Sequence, residues 1–393
     1  MAEWLSIIGI GEDGLAGLTD ASREALARSE IVFGGPRHLA MIDHADKRAW
    51  PVPFSIAPVL EHRTRPVAAL VSGDPFWHGA GRLLAAAVPK GDWRAYPAPS
   101  VFSLAAARMG WALERTFTAG AHATPFDDLR PELWPGQRMI VTLRDGAAVG
   151  GFANWLTAQG FGESAISVLE HLGGPVERIR QTTAARCDFA DVANLVLVAV
   201  EVRGSGKALT RASGIADDFF GHDGQITKRP IRALALSALA PRPGELLWDI
   251  GLGSGSIAIE WLLSHPSTEA IGIEVDAGRA ARARANADRL GARRLDIREG
   301  RALDLIAELP VPDAVFLGGG ADGALLDAIW QRLPPGSRVV GHAVTLETEA
   351  LFLDAHARLG GALFRVDLAE AAPLGRKRGW NPFRTITQWS VTR

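Results

Sequence analysis

Short apolar runs closed by glycine- and proline-rich turns alternate along this 393-residue chain with stretches whose apolar positions recur every three or four residues. The runs read as buried strands and the spaced stretches as amphipathic helices. In the first half the pattern predicts strands at 5–10, 30–33, 67–72, 139–143, 165–169 and 194–200. Helices are predicted at 20–29, capped by Thr19, and at 104–113. In the second half a helix at 229–239, ended by Pro241, precedes a strand that starts at Glu245. Further strands follow at 270–275, 295–298, 314–317 and 338–343, with a final pair near 362–368 and 385–391. Strands alternating with helices at this pace predict an α/β fold.

The least periodic stretch is 204–224, which is rich in glycine and is read as a linker. It divides the chain into domains at 1–203 and 225–393. A chain of this length is too long for one ordinary core and suggests two or three domains.

The most informative motif opens the second domain. Trp248-Asp249-Ile250-Gly251-Leu252-Gly253-Ser254-Gly255 is an apolar run ending in an acid and three glycines. A helical segment follows, then a second apolar run ending at Glu274, 23 residues after Gly251. This is the layout of a nucleotide-binding βαβ unit. The glycines allow a sharp turn and close approach of a ligand to the backbone. A dinucleotide loop places its third glycine at 256, which is serine here. Asp249 completes an Asp-x-Gly-x-Gly-x-Gly pattern, and paired acids suit a cationic cofactor without phosphates. The motif resembles that of Rossmann-like S-adenosylmethionine methyltransferases. In such a site Asp249 orients the loop or the methionine amino group, and Glu274 holds the ribose. Asp304, in Gly300-Arg301-Ala302-Leu303-Asp304, is either an adenine contact or a solvated helix acid.

In the first half, Gly9-Ile10-Gly11-Glu12-Asp13-Gly14 matches G-x-G-x-x-G and is expected to open a helix. The next strand ends in Val32-Phe33-Gly34-Gly35, with no acid for a dinucleotide ribose. Read with Ser72-Gly73-Asp74-Pro75 and Pro99-Ser100-Val101-Phe102-Ser103, the segment resembles the tetrapyrrole methylases over residues 4–202. Those are two-lobed α/β enzymes that bind S-adenosylmethionine. The resemblance assigns Gly9, Gly11, Gly73, Asp74, Pro75 and Ser100 to a cofactor site; Asp74 alone is also readable as an Asx-turn cap. His171-Leu172-Gly173-Gly174-Pro175-Val176-Glu177-Arg178 is similar to the branch acting late in corrin synthesis. Two departures concern the substrate-facing surface: Ser100 stands where many relatives have glycine, and Trp77-His78 stand in place of an aromatic-Gly pair.

Gly224-Gln225-Ile226-Thr227-Lys228, Gly318-Gly319-Gly320 and Val344-Thr345-Leu346-Glu347-Thr348 resemble the small decarboxylating precorrin methyltransferases over residues 215–393. Near the end, Arg376, Lys377 and Arg378 lie beside Trp380 and Phe383. This stretch is either a rim for a carboxylate-rich macrocycle or a solvated loop.

Composition narrows the partners. The charges, 42 basic against 44 acidic, give no global basic field for nucleic acid. The Asn/Asp-Pro-Pro-aromatic tetrad of base N-methylation is missing after the 314–317 strand. Cys187 is the single cysteine, so no internal disulfide forms. No apolar run reaches the roughly 18 residues of a spanning helix. The N-terminus has neither a basic region nor a cleavage site, and a cytoplasmic location is expected.

Together the resemblances imply an enzyme with a tetrapyrrole methylase domain followed by a Rossmann-like methyltransferase and decarboxylase domain. It is expected to use one S-adenosylmethionine per domain and no metal. They imply C-methylation of a precorrin at C5 by the first domain, and at C15 by the second with loss of the ring-C acetate carboxyl. Thr227, Lys228 and Glu347 are candidates for assisting the decarboxylation. A homo-oligomer is implied as well. RNA carbon methylation, nicotinamide-dependent oxidoreduction and a non-catalytic cofactor scaffold remain the alternatives.

Overall fold

The computed structural model describes residues 3–77 and 79–393 and resolves the chain into two compact units. The first comprises the residues up to Phe126 together with Leu133–Lys207; the second comprises Asp127–Glu132 and Ala208–Arg393.

The first unit has two lobes. One holds a wholly parallel sheet of β1 (Leu5–Ile10), β2 (Ile31–Gly34), β3 (Lys47–Ala49), β4 (Val67–Ser72) and β5 (Trp93–Tyr96), in the order β3-β2-β4-β1-β5. Alternate residues of its central strands feed two cores. Ile7, Phe33, Val67 and Ala69 pack on one face, and Ile8, Val32, Ala68 and Leu70 on the other. Burial on both faces is why these strands read as unbroken apolar runs. The second lobe holds β6 (Phe117–Ala121), β7 (Arg138–Leu143), β8 (Ala165–Glu170), β9 (Arg178–Thr183) and β10 (Val196–Glu201), in the order β6-β7-β10-β8-β9. Only the β6–β7 pair is parallel.

The second unit is built on a seven-stranded sheet. Its strands are β11 (Leu246–Ile250), β12 (Glu269–Glu274), β13 (Asp296–Glu299), β14 (Ala314–Leu317), β15 (Arg338–Ala343), β16 (Ala362–Val366) and β19 (Ile386–Thr392). The order is β13-β12-β11-β14-β15-β19-β16, parallel as far as β15 and antiparallel beyond it. Strand order reverses between β11 and β14, the switch point at which open parallel sheets hold ligands. Between β16 and β19 the chain forms a separate hairpin, β17 (Ala369–Leu374) with β18 (Lys377–Pro382).

Several local expectations change. Gly9 to Gly14 do not open a helix directly: a single 3₁₀ turn, Gly14–Gly17, intervenes before the helix Asp20–Arg28, which Thr19 caps through the Ser22 N–H. The helix expected at 104–113 is Val101–Met109, because Ser100 caps it and Gly110 closes it at φ 64°. The helix Arg229–Leu239 ends at Ala240, in the left-handed region at φ 46°. Residues 208–224, read as part of a linker, belong to the second unit, with Leu209, Ile215 and Phe220 buried in its core. Lack of periodicity there reflects irregular backbone, not exposure. Residues 374–383 are mostly strand and turn of the hairpin, with Trp380 76% exposed. Among the described residues no helix is long and apolar enough to cross a membrane.

Candidate active sites in the two units

In the second unit a cavity of about 950 Å³ opens at the C-terminal ends of β11, β12, β14 and β15. Asp249, Gly251, Gly253, Glu274, Thr227 and Lys228 all line it, brought together from three segments of the sequence. Gly251 lies so close to the loop after β14 that a Cβ would stand 2.5 Å from the Gly319 carbonyl oxygen. The two glycine loops can therefore touch only without side chains. Gly253, at φ 58°, has free space where a Cβ would be, and Gly319 and Gly320 are equally open. This bare backbone is what a cofactor needs for close approach.

Asp249 is buried and accepts one hydrogen bond, from the Ala258 N–H at 3.1 Å. Burial pushes its carboxyl up to about 7, against that hydrogen bond, and nearby Glu274 adds to the rise. Glu274 accepts from the N–H groups of Gly253 at 2.8 Å, Val275 at 3.0 Å and Asp276 at 3.1 Å. These bonds fix its orientation, and its remaining lone pairs can still accept from hydroxyls. The donor set fits S-adenosylmethionine: two buried acids for a cation and its ribose, beside open backbone. The same cavity carries half-buried Lys228 and the exposed cations Arg301 and Arg384.

Three expected residues lie elsewhere. Gly255 is buried under the neighbouring helix, where a Cβ would stand 3.2 Å from that of Ala283; it permits helix packing. Asp304 is exposed on the short helix Ala302–Leu305, and its neighbours Arg301, Ala302 and Leu303 line the cavity instead. Glu347 is exposed in the first turn of the helix Leu346–Leu359. Its carboxyl is held low by its own backbone N–H and by the capping hydroxyl of Thr345.

Two further features have no local signature in the sequence. His342, inside the buried β15, lines the cavity, stands edge-on to Phe316 and donates from Nε2 to Gln388 Oε1 at 2.8 Å. Burial lowers its pKa despite that bond, so the ring is neutral with Nδ1 as its acceptor. Behind the cavity wall, fully buried Arg232 donates to Glu260 at 2.5 Å, to Asp217 at 3.0 Å and to the Thr227 carbonyl at 2.5 Å. Glu260 in turn receives the N–H groups of Gly214 and Ile215. This network fixes the segment that carries Thr227 and Lys228.

In the first unit, the three expected cofactor segments converge on Gly9. A Cβ there would stand 1.9 Å from the Gly73 carbonyl oxygen and 2.7 Å from the Ala98 nitrogen. Gly73, at φ 56°, likewise abuts Pro99 and Ser100. Asp74 accepts from the Phe76 N–H at 2.8 Å, an Asx turn, and Ser100 accepts from the Ser103 N–H at 3.1 Å as a helix cap. Gly11 makes room for the Asp13 carboxylate, and the Pro75 carbonyl packs against Gly79 and Gly81. Each of these residues thus has a local structural role. Trp77 is exposed beside Phe76, while His78 lies outside the described residues.

The chain matches the family described as Tetrapyrrole (Corrin/Porphyrin) Methylases over residues 5–188 and the Precorrin methyltransferase domain over 218–393. A precorrin-6Y C(5,15)-methyltransferase (decarboxylating) of Sinorhizobium sp is 46% identical, over 100% of this chain and 97% of the relative. The protein of that name from Mycobacterium tuberculosis (strain CDC 1551 / Oshkosh) is 40% identical, over 98% of this chain and 99% of its own. The solved C-terminal domain of precorrin-6Y C5,15-methyltransferase from Rhodobacter capsulatus is 50% identical, covering 47% of this chain and 100% of its own, at a TM-score of 0.45. Full-length identity at this level, through both parts in the same order, shows that the chain belongs to the precorrin-6Y C5,15-methyltransferase (decarboxylating) family.

Proposed function

We propose that this chain adds two methyl groups to a precorrin, at C5 through its first unit and at C15 through its second, and that the second unit also releases an acetate carboxyl as carbon dioxide. Each unit binds its own S-adenosylmethionine. The observation that carries the reading is the pairing, in one cavity, of two buried carboxylates and an open glycine loop with exposed cations. The acids and bare backbone suit a sulfonium cofactor, and Lys228, Arg301 and Arg384 suit a substrate rich in carboxylates.

S-adenosylmethionine supplies an electrophilic methyl, and the chain's task is to position the acceptor carbon and exclude water. Asp249 and Glu274 hold the cofactor's cationic and hydroxylated parts. Loss of carbon dioxide breaks the bond between the acetate methylene and its carboxylate. The electron pair passes into the conjugated macrocycle, and a proton returns to the carbon. His342, neutral and on the cavity wall, is the proton-handling group, and Thr227 and Lys228 hold the acetate. Glu347 and Asp304 take no part in this assignment.

In the first unit, Gly9, Gly11, Gly73, Asp74, Pro75 and Ser100 shape the backbone of the cofactor site. Calorimetric titration of the full chain tests this directly: two equivalents of S-adenosylmethionine bind, and Gly253→Val removes one of them. Binding of a single equivalent contradicts the two-site reading. Light scattering of the same sample tests the homo-oligomer implied by the family resemblance.

A further inference from the structure

In the first unit, the loops that leave the C-terminal ends of the adjacent strands β2, β4 and β1 bring together charged side chains with no part in the cofactor reading. Arg37 contacts His38 Nε2 at 2.9 Å and Ser72 Oγ at 3.1 Å through one terminal nitrogen, and forms an ion pair with Glu12 through the other. Ser72 Oγ lies 3.2 Å from His38 Nε2. From the second lobe, His171 Nδ1 reaches Glu12 at 3.4 Å. Ser72 directly precedes the Gly73-Asp74-Pro75 loop, so the cluster adjoins the region where the cofactor segments converge.

The geometry is that of a prepared cation. A guanidinium only donates, so His38 Nε2 is an acceptor and its ring is neutral. Burial, with Arg37 beside it, takes His38 down to about 4, so it adds no positive charge at neutral pH. His38 is 6% exposed, whereas the Arg37 side chain keeps 34% of its surface. The guanidinium is thus gripped from its buried side and open on the other. Glu12 divides its carboxylate between Arg37 and His171.

The second lobe is shaped to reach this cluster. His171 is one of three described non-glycine residues with positive φ, at 49°. It is held there by its N–H on the Leu195 carbonyl and by its own carbonyl, which accepts from Gly174. A Cβ at Gly174 would stand 2.8 Å from that of Glu12, so only glycine admits the approach. Backbone in a disfavoured region persists only where its surroundings over-determine it, and these hydrogen bonds do so for His171.

We infer that Glu12, Arg37, His38, Ser72 and His171 form a carboxylate-binding subsite of the first unit, in which Arg37 anchors a peripheral carboxylate of the tetrapyrrole. His38, Ser72 and Glu12 act as positioning residues, holding the planar guanidinium in place for the incoming carboxylate. The inference rests on the reading of the first unit as a precorrin methylase, and the test separates the two.

The full-length chain is given a precorrin-6B substrate and labelled S-adenosylmethionine, and products are followed by mass spectrometry. In Arg37→Met the first-unit methylation loses at least about tenfold in kcat/KM, the scale of one lost charge-assisted contact. The second-unit methylation and carbon dioxide release continue, so a product with one new methyl and one carboxyl fewer accumulates. Arg37→Lys keeps the charge without the fork, and raises KM more than it lowers kcat. Cofactor stoichiometry and the thermal midpoint stay at wild-type values in both. Full-rate double methylation by Arg37→Met overturns the subsite. So does loss of first-unit activity together with its bound cofactor, which marks a structural clasp between lobes. If the wild-type chain turns over no precorrin, the functional reading fails. The subsite is then decided by fluorescence titration with uroporphyrin, an octacarboxylate: Arg37→Met weakens one binding event about tenfold if the subsite is real, and changes none if it is not.

Discussion

Asp249 carries the sharpest chemistry at the scale of single residues. Its ordinary value is 3.8, and burial raises it to about 7 in the folded chain. Between these values the folded state keeps a proton that the unfolded state has released. Its contribution to stability is therefore greatest at low pH, declines as pH rises toward about 7 and is flat above. Asp249→Asn, which keeps an acceptor for the Ala258 N–H, removes this decline. Thermal midpoints of the two proteins should diverge in favour of the variant between about pH 4 and pH 7. A cationic cofactor prefers the ionised form, so wild-type affinity for S-adenosylmethionine in the second unit rises over the same interval, with proton release on binding. A flat pH profile in calorimetry contradicts this. Arg232 gives a different prediction. Arg232→Met leaves Glu260 charged and unpaired in the core, and should cost about 3–5 kcal/mol in denaturant unfolding. Arg232→Met with Glu260→Leu should recover much of that loss.

At the scale of elements, the glycine loops show why some of the site was legible and some was not. The strand-loop-helix from Leu246 to Ser264 follows from local rules, because an apolar run buried on both faces and a turn at positive φ leave their signature in adjacent residues. Glycine identity, however, does not tell which glycine faces a ligand. Gly253 is open and Gly255 is packed on Ala283, although both sit at positive φ in one motif. Gly253→Ala should therefore weaken cofactor binding and cost about 1 kcal/mol for the left-handed backbone. Gly255→Ala should lower the thermal midpoint with a smaller effect on affinity. Equal effects of the two on affinity would show that the loop faces the cofactor differently. The edge elements β3, β5, β6 and β9 escaped sequence reading because half-exposed short strands carry no long apolar run. The β17–β18 hairpin was hidden by its charges: Arg376, Lys377 and Arg378 read as loop. Exchanging the hairpin for a short turn should leave cofactor affinity unchanged and raise the KM of the second-unit reaction.

At the scale of the whole molecule, two folds in one chain were legible because each carries its own ordered motifs. What sequence could not show is which distant residues meet. Glu12 and His171 touch across 159 positions, and His342 enters the second cavity from the middle of an apolar strand. Neither has a local pattern, and only the sheet order brings them to a site. The same holds for Asp304 and Glu347, which are exposed on their helices and do not line the cavity, because motif spacing does not fix helix phase. Because each unit has its own core and, on the proposed reading, its own cofactor site, damage to one should leave the other working: Gly253→Val should stop the second methylation and carbon dioxide release while the first methylation continues. The most direct measurement is mass spectrometry of precorrin-6B after incubation with the full chain and labelled S-adenosylmethionine. The account predicts a product that has gained two labelled methyls and lost one carbon dioxide. A substrate recovered unchanged, with cofactor bound, would contradict it.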